Sequence, residues 1–455
     1  MDWTENNNYL RGIINKLDNL WLPVRVASFD LDDTLIHRPN SRAKDKQWKL
    51  LDMSIVDKIA DLVKNHFIIV IFTNQGGMSM NKNFDQPKWR QTMDDLVELL
   101  TSKIMNKKYY FATYVSKKHD IYRKPNIGMW NMMKDNLKEE FKIEIENNSI
   151  SESDNSMSES DHSMSVEISK KSFFCGDAAG RITNSIYKKS IYPTSTKQGD
   201  HTDTDRKFAM NIGITFMTPE EFFLGKMPDP EFKLLGLNPS EYLKILKTKS
   251  SNSTKSSKST KLTKSIKYNT DYKNSEVIKI LDDNQNDFIP RKREMIIMVG
   301  PMGSGKSQYV QKYILPHKYV YVNQDTCKTK IKCDELTKSA LKKGKSVVID
   351  ATNPDVLSRM HYTAMAREYD YKHIRAIIIN TPPVIFSHLN NVRHLYSKGK
   401  IPKINNIAYA SFKKRYVKPL KTEYFDKIDI IDFIFDMDQL TDPKWKEKFL
   451  LWSEF

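Results

Sequence analysis

Six short, mostly apolar runs, each followed directly by a polar or glycine-rich motif, divide the chain into two parts. Runs of this length are typical of strands that are buried on both faces, as in parallel sheets covered by helices. Three runs lie in each part: Val24–Phe29, Phe67–Phe72, Ser172–Cys175, then Met295–Val299, Ser346–Ile349 and Ile374–Ile379. The pattern predicts two different α/β domains, with functional groups just beyond the carboxyl ends of the strands.

Two segments of low sequence complexity interrupt this pattern. Ser149–Ser165 is rich in serine and acidic residues, and Lys247–Lys267 holds seven lysines and seven serines with no acidic residue. Neither segment has enough apolar surface to balance the entropy lost on ordering, so we expect both to be flexible. We interpret the lysine-rich run as a solvated linker, with a non-specific electrostatic contact to nucleic acid as the alternative.

The positions of these segments predict the domain boundaries. We expect an N-terminal extension at 1–20 and a first domain at 21–245, with the acidic insertion near 149–165. A Lys/Ser-rich linker at 246–290 then leads to a second domain at 291–455.

The overall composition restricts the class of protein. Of the 455 residues, 39% are hydrophobic and 11% are aromatic, which excludes a wholly disordered chain. The formal net charge of +17 favours a polyanionic partner, either nucleic acid or an anionic membrane surface.

No apolar run is long enough to span a membrane, and the N-terminal residues do not resemble a signal peptide. The three cysteines form no CxxC pair. We therefore expect an intracellular protein that is not attached to a membrane.

The first part of the chain places two carboxylates at the end of a predicted buried strand. Asp30 and Asp32 lie two residues apart there, and carboxylates in such a place are costly unless they bind metal, form ion pairs or take part in chemistry. Thr73, Lys124 and Asp177 follow at the ends of later strands or loops. The open alternatives are a turn or helix cap for the two aspartates, a helix cap for Thr73 and a solvent-facing cation for Lys124.

The second part of the chain contains a G-x-x-x-x-G-K-S phosphate-binding loop directly after a predicted strand. Its residues are Gly300, Pro301, Met302, Gly303, Ser304, Gly305, Lys306 and Ser307. In such a loop, successive backbone N–H groups surround a phosphate, the lysine reaches the β- and γ-phosphates, and the serine hydroxyl ligates Mg²⁺. The motif therefore predicts a nucleotide site.

Three later residues are candidates for phosphoryl transfer. Asp325 is placed to accept a proton from an acceptor hydroxyl, although it could instead cap the next helix. Asp350 ends a predicted strand and is a candidate to orient Mg²⁺. Arg393 is a candidate lid arginine that would neutralise the transferring phosphoryl group, or it is an ordinary surface charge.

The first set of residues closely resembles the site of haloacid-dehalogenase-type phosphatases. The resemblance implies that Asp30 is the nucleophile and Asp32 the general acid and base, with Thr73 and Lys124 holding the phosphate oxygens. It also implies Mg²⁺ bound by Asp30, Asp177 and the backbone carbonyl of Asp32.

A phosphatase of this type followed by a P-loop kinase resembles the bifunctional polynucleotide phosphatase/kinase family. Four further stretches support this resemblance over about residues 20 to 420: Gly176–Arg181, Asp205–Ala209, Thr218–Phe223 and Asp350–Arg359. It implies a HAD-like (Rossmannoid) 3′-phosphatase domain, a parallel-sheet P-loop domain that phosphorylates 5′-hydroxyl ends, and the cofactors Mg²⁺ and ATP.

The resemblance also implies partners, location and biological role. The expected substrate is DNA with 3′-phosphate or 5′-hydroxyl ends, healed during strand-break repair in the nucleus or at a site of DNA replication and repair. Fewer than thirty residues precede Asp30, so no forkhead-associated module and no phosphopeptide-mediated scaffold are predicted, and we expect a monomer. Healing of RNA ends, or a nucleic-acid-binding scaffold with inactive sites, remain the alternatives. A fusion of a metabolite phosphatase and a metabolite kinase is disfavoured by the charge of +17.

Overall fold

The computed structural model describes residues 1–37, 48–142, 167–182, 199–229, 231–250, 264–269, 275–280, 288–433 and 437–454. The chain divides into two compact units. The first contains the described residues of Met1–Gly236 and also Leu451–Glu454, and the second contains the described residues of Leu237–Leu450. The predicted acidic insertion and the central part of the lysine-rich run lie outside the described residues.

A seven-stranded sheet forms the centre of the first unit, with the spatial order β1-β2-β7-β6-β3-β8-β9. These strands are β1 (Asp2–Glu5), β2 (Tyr9–Asn15), β3 (Arg25–Phe29), β6 (Phe67–Asn74), β7 (Tyr110–Ser116), β8 (Phe173–Cys175) and β9 (Thr215–Met217). The five strands from β7 to β9 in this order run parallel, whereas β1 and β2 are antiparallel to their neighbours. A short hairpin, β4 (Ile36–His37) with β5 (Lys49–Leu50), follows β3 in the chain.

Side chains on both faces of this sheet are buried, which explains the unbroken apolar runs. In β6, Ile69 and Ile71 pack into one core, while Ile68, Val70 and Phe72 pack into another. The helices of the unit are α1 (Ser54–Lys64), α2 (Gly77–Met80), α3 (Gln86–Thr101), α4 (Gly128–Phe141), α5 (Thr204–Ile212) and α6 (Pro219–Leu224). Thus β3, the strand that precedes Asp30, is a central strand, and its carboxyl end lies between those of β6 and β8.

The N-terminal residues belong to this sheet, which differs from the extension expected at 1–20. Strand β2 pairs with β7 from Tyr9 to Asn15, and β1 pairs with β2 at the sheet edge. The sequence Met1–Leu10 is polar because an edge strand has one row of side chains in solvent. Trp3 of β1 is nevertheless packed against the unit, because its ring contacts the ring of Trp89 of α3 edge-on.

A five-stranded parallel sheet with the order β13-β14-β12-β15-β16 forms the centre of the second unit. Its strands are β12 (Glu294–Val299), β13 (Val320–Asn323), β14 (Val347–Asp350), β15 (His373–Asn380) and β16 (Lys427–Asp432). The helices of the unit are α7 (Pro239–Ser250), α8 (Lys306–Tyr309), α9 (Gln324–Cys327), α10 (Lys330–Lys342), α11 (Val356–Glu368), α12 (Pro383–Tyr396), α13 (Asn406–Arg415) and α14 (Pro443–Phe449). The predicted α/β class, with parallel sheets in both parts, is confirmed.

Parts of the expected linker have regular secondary structure. Helix α7 continues through the first lysines of the run to Ser250, and β10 (Lys264–Asn269) pairs antiparallel with β11 (Ser275–Ile280). Composition alone did not predict these elements, because backbone pairing does not require a large apolar content. Among the helices that the structure describes, none combines the length and apolar character that a membrane crossing requires.

Candidate active sites

Asp30 lies directly after β3, where the chain turns sharply out of the sheet. Its backbone N–H donates to the Cys175 carbonyl at 2.8 Å, so the strand pairing continues up to this residue. Asp33 then adopts a φ of 57°, in the left-handed region that aspartate tolerates better than most residues. This turn leaves Asp30 and Asp32 beyond the carboxyl end of the central strand, and the Asp30 side chain is only 12% exposed.

Lys124 forms ion pairs with Asp30 and with a further aspartate, Asp205. Its ammonium lies 2.5 Å from Asp30 Oδ1 and 2.7 Å from Asp205 Oδ1, and the side chain is 2% exposed. Burial alone would lower the pKa of Lys124, but the two carboxylates, Asp205 foremost, raise it overall. The alternative of a solvent-facing lysine is therefore excluded, and Lys124 is a fixed cation beside Asp30.

Asp30, Asp177 and Asp205 form a compact acidic cluster. One carboxylate oxygen from each lies within 4.8 Å of the others. Burial, followed by the charges of Asp205 and Asp177, raises the pKa of Asp30 well above its usual range, although Lys124 opposes this rise. Three carboxylates around one ammonium leave an excess of two negative charges when all are ionised. The donor set therefore fits a hard divalent cation such as Mg²⁺.

Buried hydrogen bonds hold the loops that carry these residues. Asn74, at the end of β6, pairs with the backbone of Lys124, accepting from its N–H at 2.9 Å and donating to its carbonyl at 3.2 Å. Arg181 is buried between Asp200 and Glu220 and donates through Nη2 to the carbonyl of Asp177 at 3.1 Å. Both loops are thus fixed by the surrounding structure.

Gln75 links Asp32 to Thr73 by two hydrogen bonds. The Gln75 amide donates to Asp32 Oδ2 at 2.6 Å and to Thr73 Oγ1 at 3.0 Å. Thr73 is buried within β6, so it is not a helix cap. The Asp32 carboxylate and the Thr73 hydroxyl, which lie 41 residues apart in the sequence, are therefore linked by one side chain.

In the second unit, the loop after β12 has the backbone shape of a phosphate cradle. Gly303 and Gly305 have φ values of 78° and 90°, where side chains other than glycine are strained. A Cβ on Gly303 would also lie 2.7 Å from the Phe386 ring, so this position requires glycine on both grounds. The hydroxyl of Thr381 donates to the carbonyl of Ser304 at 2.6 Å and fixes the loop further.

Lys306 and Ser307 follow this loop at the start of α8. The Lys306 ammonium is buried and donates to the Pro301 carbonyl at 2.7 Å, and burial lowers its pKa to about 8. The Ser307 hydroxyl donates to Asp350 Oδ2 at 2.6 Å. Asp350, at the end of β14, also accepts from the Tyr321 hydroxyl at 2.8 Å. The predicted serine and carboxylate of the magnesium site are therefore in direct contact.

Asp325 occupies the first turn of the short helix α9, close to this group. The cap of that helix is Asn323, whose Oδ1 accepts from the N–H groups of Asp325 and Thr326 at 2.9 and 3.2 Å. The Asn323 amide in turn donates to Asp350 Oδ2 at 3.1 Å. Asp325 is thus not the helix cap. Its carboxylate is exposed, where an acceptor can reach it.

Arg393 lies on α12, the helix whose Phe386 faces Gly303. It donates through Nη2 to Asn390 Oδ1 at 3.3 Å and is half-buried, and burial lowers its pKa. No contact of Arg393 with the phosphate loop is seen among the described residues, so its assignment as a lid arginine stays a prediction.

A cavity that is open to solvent adjoins the phosphate loop. Its lining includes Gly305, Tyr309, Tyr313, Ile379 and Phe433, so aromatic and apolar side chains lie beside the loop backbone. The tyrosine and phenylalanine rings offer surfaces on which a flat aromatic group can stack.

The structure brings Asp30, Lys124 and Asp177 into one cluster and Ser307 and Asp350 into another. Sequence reasoning assigned no role to Asp205, Gln75 or Tyr321. The signal for Asp205 was present, since it begins one of the stretches that carried the family resemblance. Nothing local distinguished Tyr321, a partly buried tyrosine in the short strand β13.

Comparisons with known proteins show what the two parts of the chain resemble. The family model described as polynucleotide kinase 3 phosphatase matches residues 25–163 and 151–223, and an AAA domain model matches residues 295–419. A protein of Acanthamoeba polyphaga mimivirus, provisionally named bifunctional polynucleotide phosphatase/kinase, is 52% identical over the whole of this chain and 96% of its own length.

Two relatives from cellular organisms extend this result. The bifunctional polynucleotide phosphatase/kinase of Schizosaccharomyces pombe is 30% identical over 92% of this chain and 82% of its own length. The polynucleotide 3′-phosphatase of Arabidopsis thaliana is 28% identical over 45% of this chain and 25% of its own length. The match to the S. pombe protein therefore extends over both units, whereas the match to the Arabidopsis protein covers less than half of this chain. The chain belongs to the family of bifunctional polynucleotide phosphatase/kinases.

Proposed function

We propose that this protein heals broken DNA ends, removing 3′-phosphates in its first unit and phosphorylating 5′-hydroxyls with ATP in its second. The observation that carries the proposal is the placement of Asp30 against Lys124 within the acidic cluster of Asp177 and Asp205. The name of the S. pombe relative supplies the substrate class, a polynucleotide.

In the first unit, a carboxylate oxygen of Asp30 attacks the phosphorus of the 3′-phosphate and displaces the 3′-oxygen of the sugar. Asp32 protonates this leaving oxygen and then takes a proton from the water that hydrolyses the phosphoaspartate, which releases phosphate and restores Asp30. Lys124 and Thr73 hold the phosphoryl oxygens, and Lys124 adds its charge beside the reacting group.

The acidic cluster fits Mg²⁺, which would be held by Asp30, Asp177 and Asp205 together with the backbone carbonyl of Asp32. When bound, this ion neutralises negative charge that accumulates between a carboxylate nucleophile and a phosphate dianion. The contribution of the protein is to keep its carboxylates close together before the ion arrives, which Lys124 and the Arg181 network achieve.

In the second unit, the loop Gly300–Ser307 would surround the phosphates of ATP, with the base in the adjoining aromatic cavity. Asp325 accepts the proton of the 5′-hydroxyl as that oxygen attacks the γ-phosphorus, and ADP leaves. Lys306 and Arg393 stabilise charge on the transferring group, and Ser307 and Asp350 would hold a second Mg²⁺.

A nicked DNA duplex with a 3′-phosphate and a 5′-hydroxyl tests the proposal. We expect loss of the 3′-phosphate with Mg²⁺ alone, and gain of a 5′-phosphate only when ATP is added. A cleaved RNA hairpin with the same ends forms the second arm. If neither end of either substrate changes, the proposal is wrong. If the RNA reacts more than tenfold faster at both ends, RNA healing replaces DNA repair.

A further inference from the structure

Residues Leu451–Glu454, called the return segment below, belong to the first unit although they follow the second unit in the chain. Asn211 of α5 binds the backbone of this segment at both polar groups of Trp452. The Trp452 N–H donates to Asn211 Oδ1 at 2.7 Å, and Asn211 Nδ2 donates to the Trp452 carbonyl at 2.9 Å. Paired bonds of this kind recognise a backbone in one orientation, so the segment is docked specifically.

A second contact involves a lysine on the same helix. Lys207 is fully buried, and its ammonium donates to the Ser453 carbonyl at 3.3 Å and to the Leu235 carbonyl at 2.7 Å. It also pairs with Asp203 at 2.9 Å and lies 5.7 Å from the centre of the Trp452 ring. Since a buried cation requires acceptors, the return segment supplies one that this lysine uses.

The return segment contacts one chain neighbour of Lys124 directly and is linked to the other through Asn211. Glu454 Oε2 lies 3.6 Å from Arg123 Nε, and Asn211 Nδ2 donates to the carbonyl of Pro125 at 2.8 Å as well as to Trp452. The segment is thus connected to the loop that carries Lys124 and to the helix that carries Asp205. These two residues form an ion pair at the acidic cluster.

We propose that the return segment is a positioning element of the phosphatase site. It keeps the side chains of Lys124 and Asp205 in their places beside Asp30. The proposal rests on the proposed function, because it concerns the same 3′-phosphatase reaction. The residues of the return segment act through α5, which carries Asp205, and through the loop from Arg123 to Pro125.

A chain that ends at Leu450 tests the proposal. Losing several hydrogen bonds that hold α5 should lower the phosphatase kcat about tenfold or more, with the kinase unchanged in the same sample. Amide hydrogen exchange should increase in Thr204–Ile212 and around Lys124, but not in β3 or β6. Full phosphatase kcat with unchanged exchange in α5 would overturn the proposal, as would a lowered melting temperature as the only effect.

Asn211→Ala is the second variant, in case the shortened chain folds poorly. It should lower the phosphatase kcat in the same way, and the two changes together should lower it by less than the product of their separate effects, because both remove the paired bonds between Asn211 and Trp452. Asn65→Ala is the matched control, since that exposed side chain bonds only its own helix through the Asp61 carbonyl. Additive effects of Asn211→Ala and the truncation would contradict the proposal. A wild-type chain without 3′-phosphatase activity would instead refute the proposed function.

Discussion

The amide of Gln75 donates hydrogen bonds to Asp32 Oδ2 at 2.6 Å and to Thr73 Oγ1 at 3.0 Å. One side chain therefore orients the proposed general acid and a hydroxyl that holds the phosphate. In this arrangement the Asp32 carboxyl cannot rotate without losing a short hydrogen bond. The hydrogen bond between Gln75 and Asp32 therefore predicts that Gln75 positions the general acid. Loss of Gln75 should matter most for substrates whose leaving group must be protonated.

Gln75→Ala should slow hydrolysis of a 3′-phosphate about ten- to a hundredfold, because a misplaced acid protonates the 3′-oxygen of the sugar poorly. Hydrolysis of an aryl phosphate, whose leaving group needs no proton, should fall much less. Steady-state kinetics on both substrates measures the difference.

Two further variants serve as the positive and the negative control for this comparison. Asp32→Asn should show the same preference for the aryl substrate more strongly, and Gln91→Ala, at an exposed glutamine bonded to Asp95, should show none. Equal losses on both substrates for Gln75→Ala would mean that the residue only supports the fold.

Asp205→Asn should reduce phosphatase activity by at least about a hundredfold, since it removes a charge next to Lys124 and one carboxylate of the proposed metal site. The Mg²⁺ concentration for half-maximal activity should also rise. Asp57→Asn is the control, because Asp57 pairs with Lys103 on the surface. An Asp205→Asn enzyme with normal turnover and normal Mg²⁺ dependence would falsify the assignment.

A buried ion pair in the second unit predicts a large effect on stability. Arg359 and Glu423 are both buried and form two bonds of 2.7 and 2.9 Å, and Arg359 also donates to the Asn353 carbonyl. Arg359→Ala leaves the Glu423 carboxylate without its partner, so the free energy of unfolding should fall by about 3–5 kcal/mol. Urea denaturation of the full chain measures the change.

The exposed pair of Arg415 with Asp355 is the matched control for that measurement. Arg415→Ala should change the free energy of unfolding by about 0–1 kcal/mol, because solvent screens the pair. Similar losses for the two arginines would show that burial does not decide the strength of these ion pairs.

The sequence was sufficient to predict the two parallel sheets, because strands buried on both faces leave unbroken apolar runs such as Phe67–Phe72. The family resemblance implied that Asp30 and Asp177 share a metal site, and the phosphate-loop motif with the end of a predicted strand made Ser307 and Asp350 candidates for another. The structure brings each pair together. The edge strand β1 and its neighbour β2 were missed, because many of their side chains are exposed or only partly buried and resemble those of a polar extension.

Residues that act across long distances in the chain could not be predicted in this way. Asp205 lies in the first turn of α5, where acidic residues are common because they favour the helix dipole, so its position alone indicates no chemistry. The contact between Asn211 and Trp452 spans 241 residues, and no local pattern in the sequence indicates it. Such contacts depend on how loops and helices pack once the sheets have formed.

Lys306→Ala should lower kinase turnover by several orders of magnitude and leave the phosphatase intact. The buried ammonium lies within the phosphate loop, where alanine leaves no positive charge to stabilise the β- and γ-phosphates. Turnover at saturating ATP measures the loss, and a rate close to that of the wild type would contradict the assignment.

The central claim is that one chain carries two independent end-healing sites, and a single assay of two variants tests it most directly. Asp30→Asn and Lys306→Ala are each incubated with a nicked DNA duplex, Mg²⁺ and ATP, and the 3′ and 5′ ends are followed separately. The account predicts that Asp30→Asn keeps the 3′-phosphate but phosphorylates the 5′ end, and that Lys306→Ala does the reverse. Loss of both activities in either folded variant would contradict it.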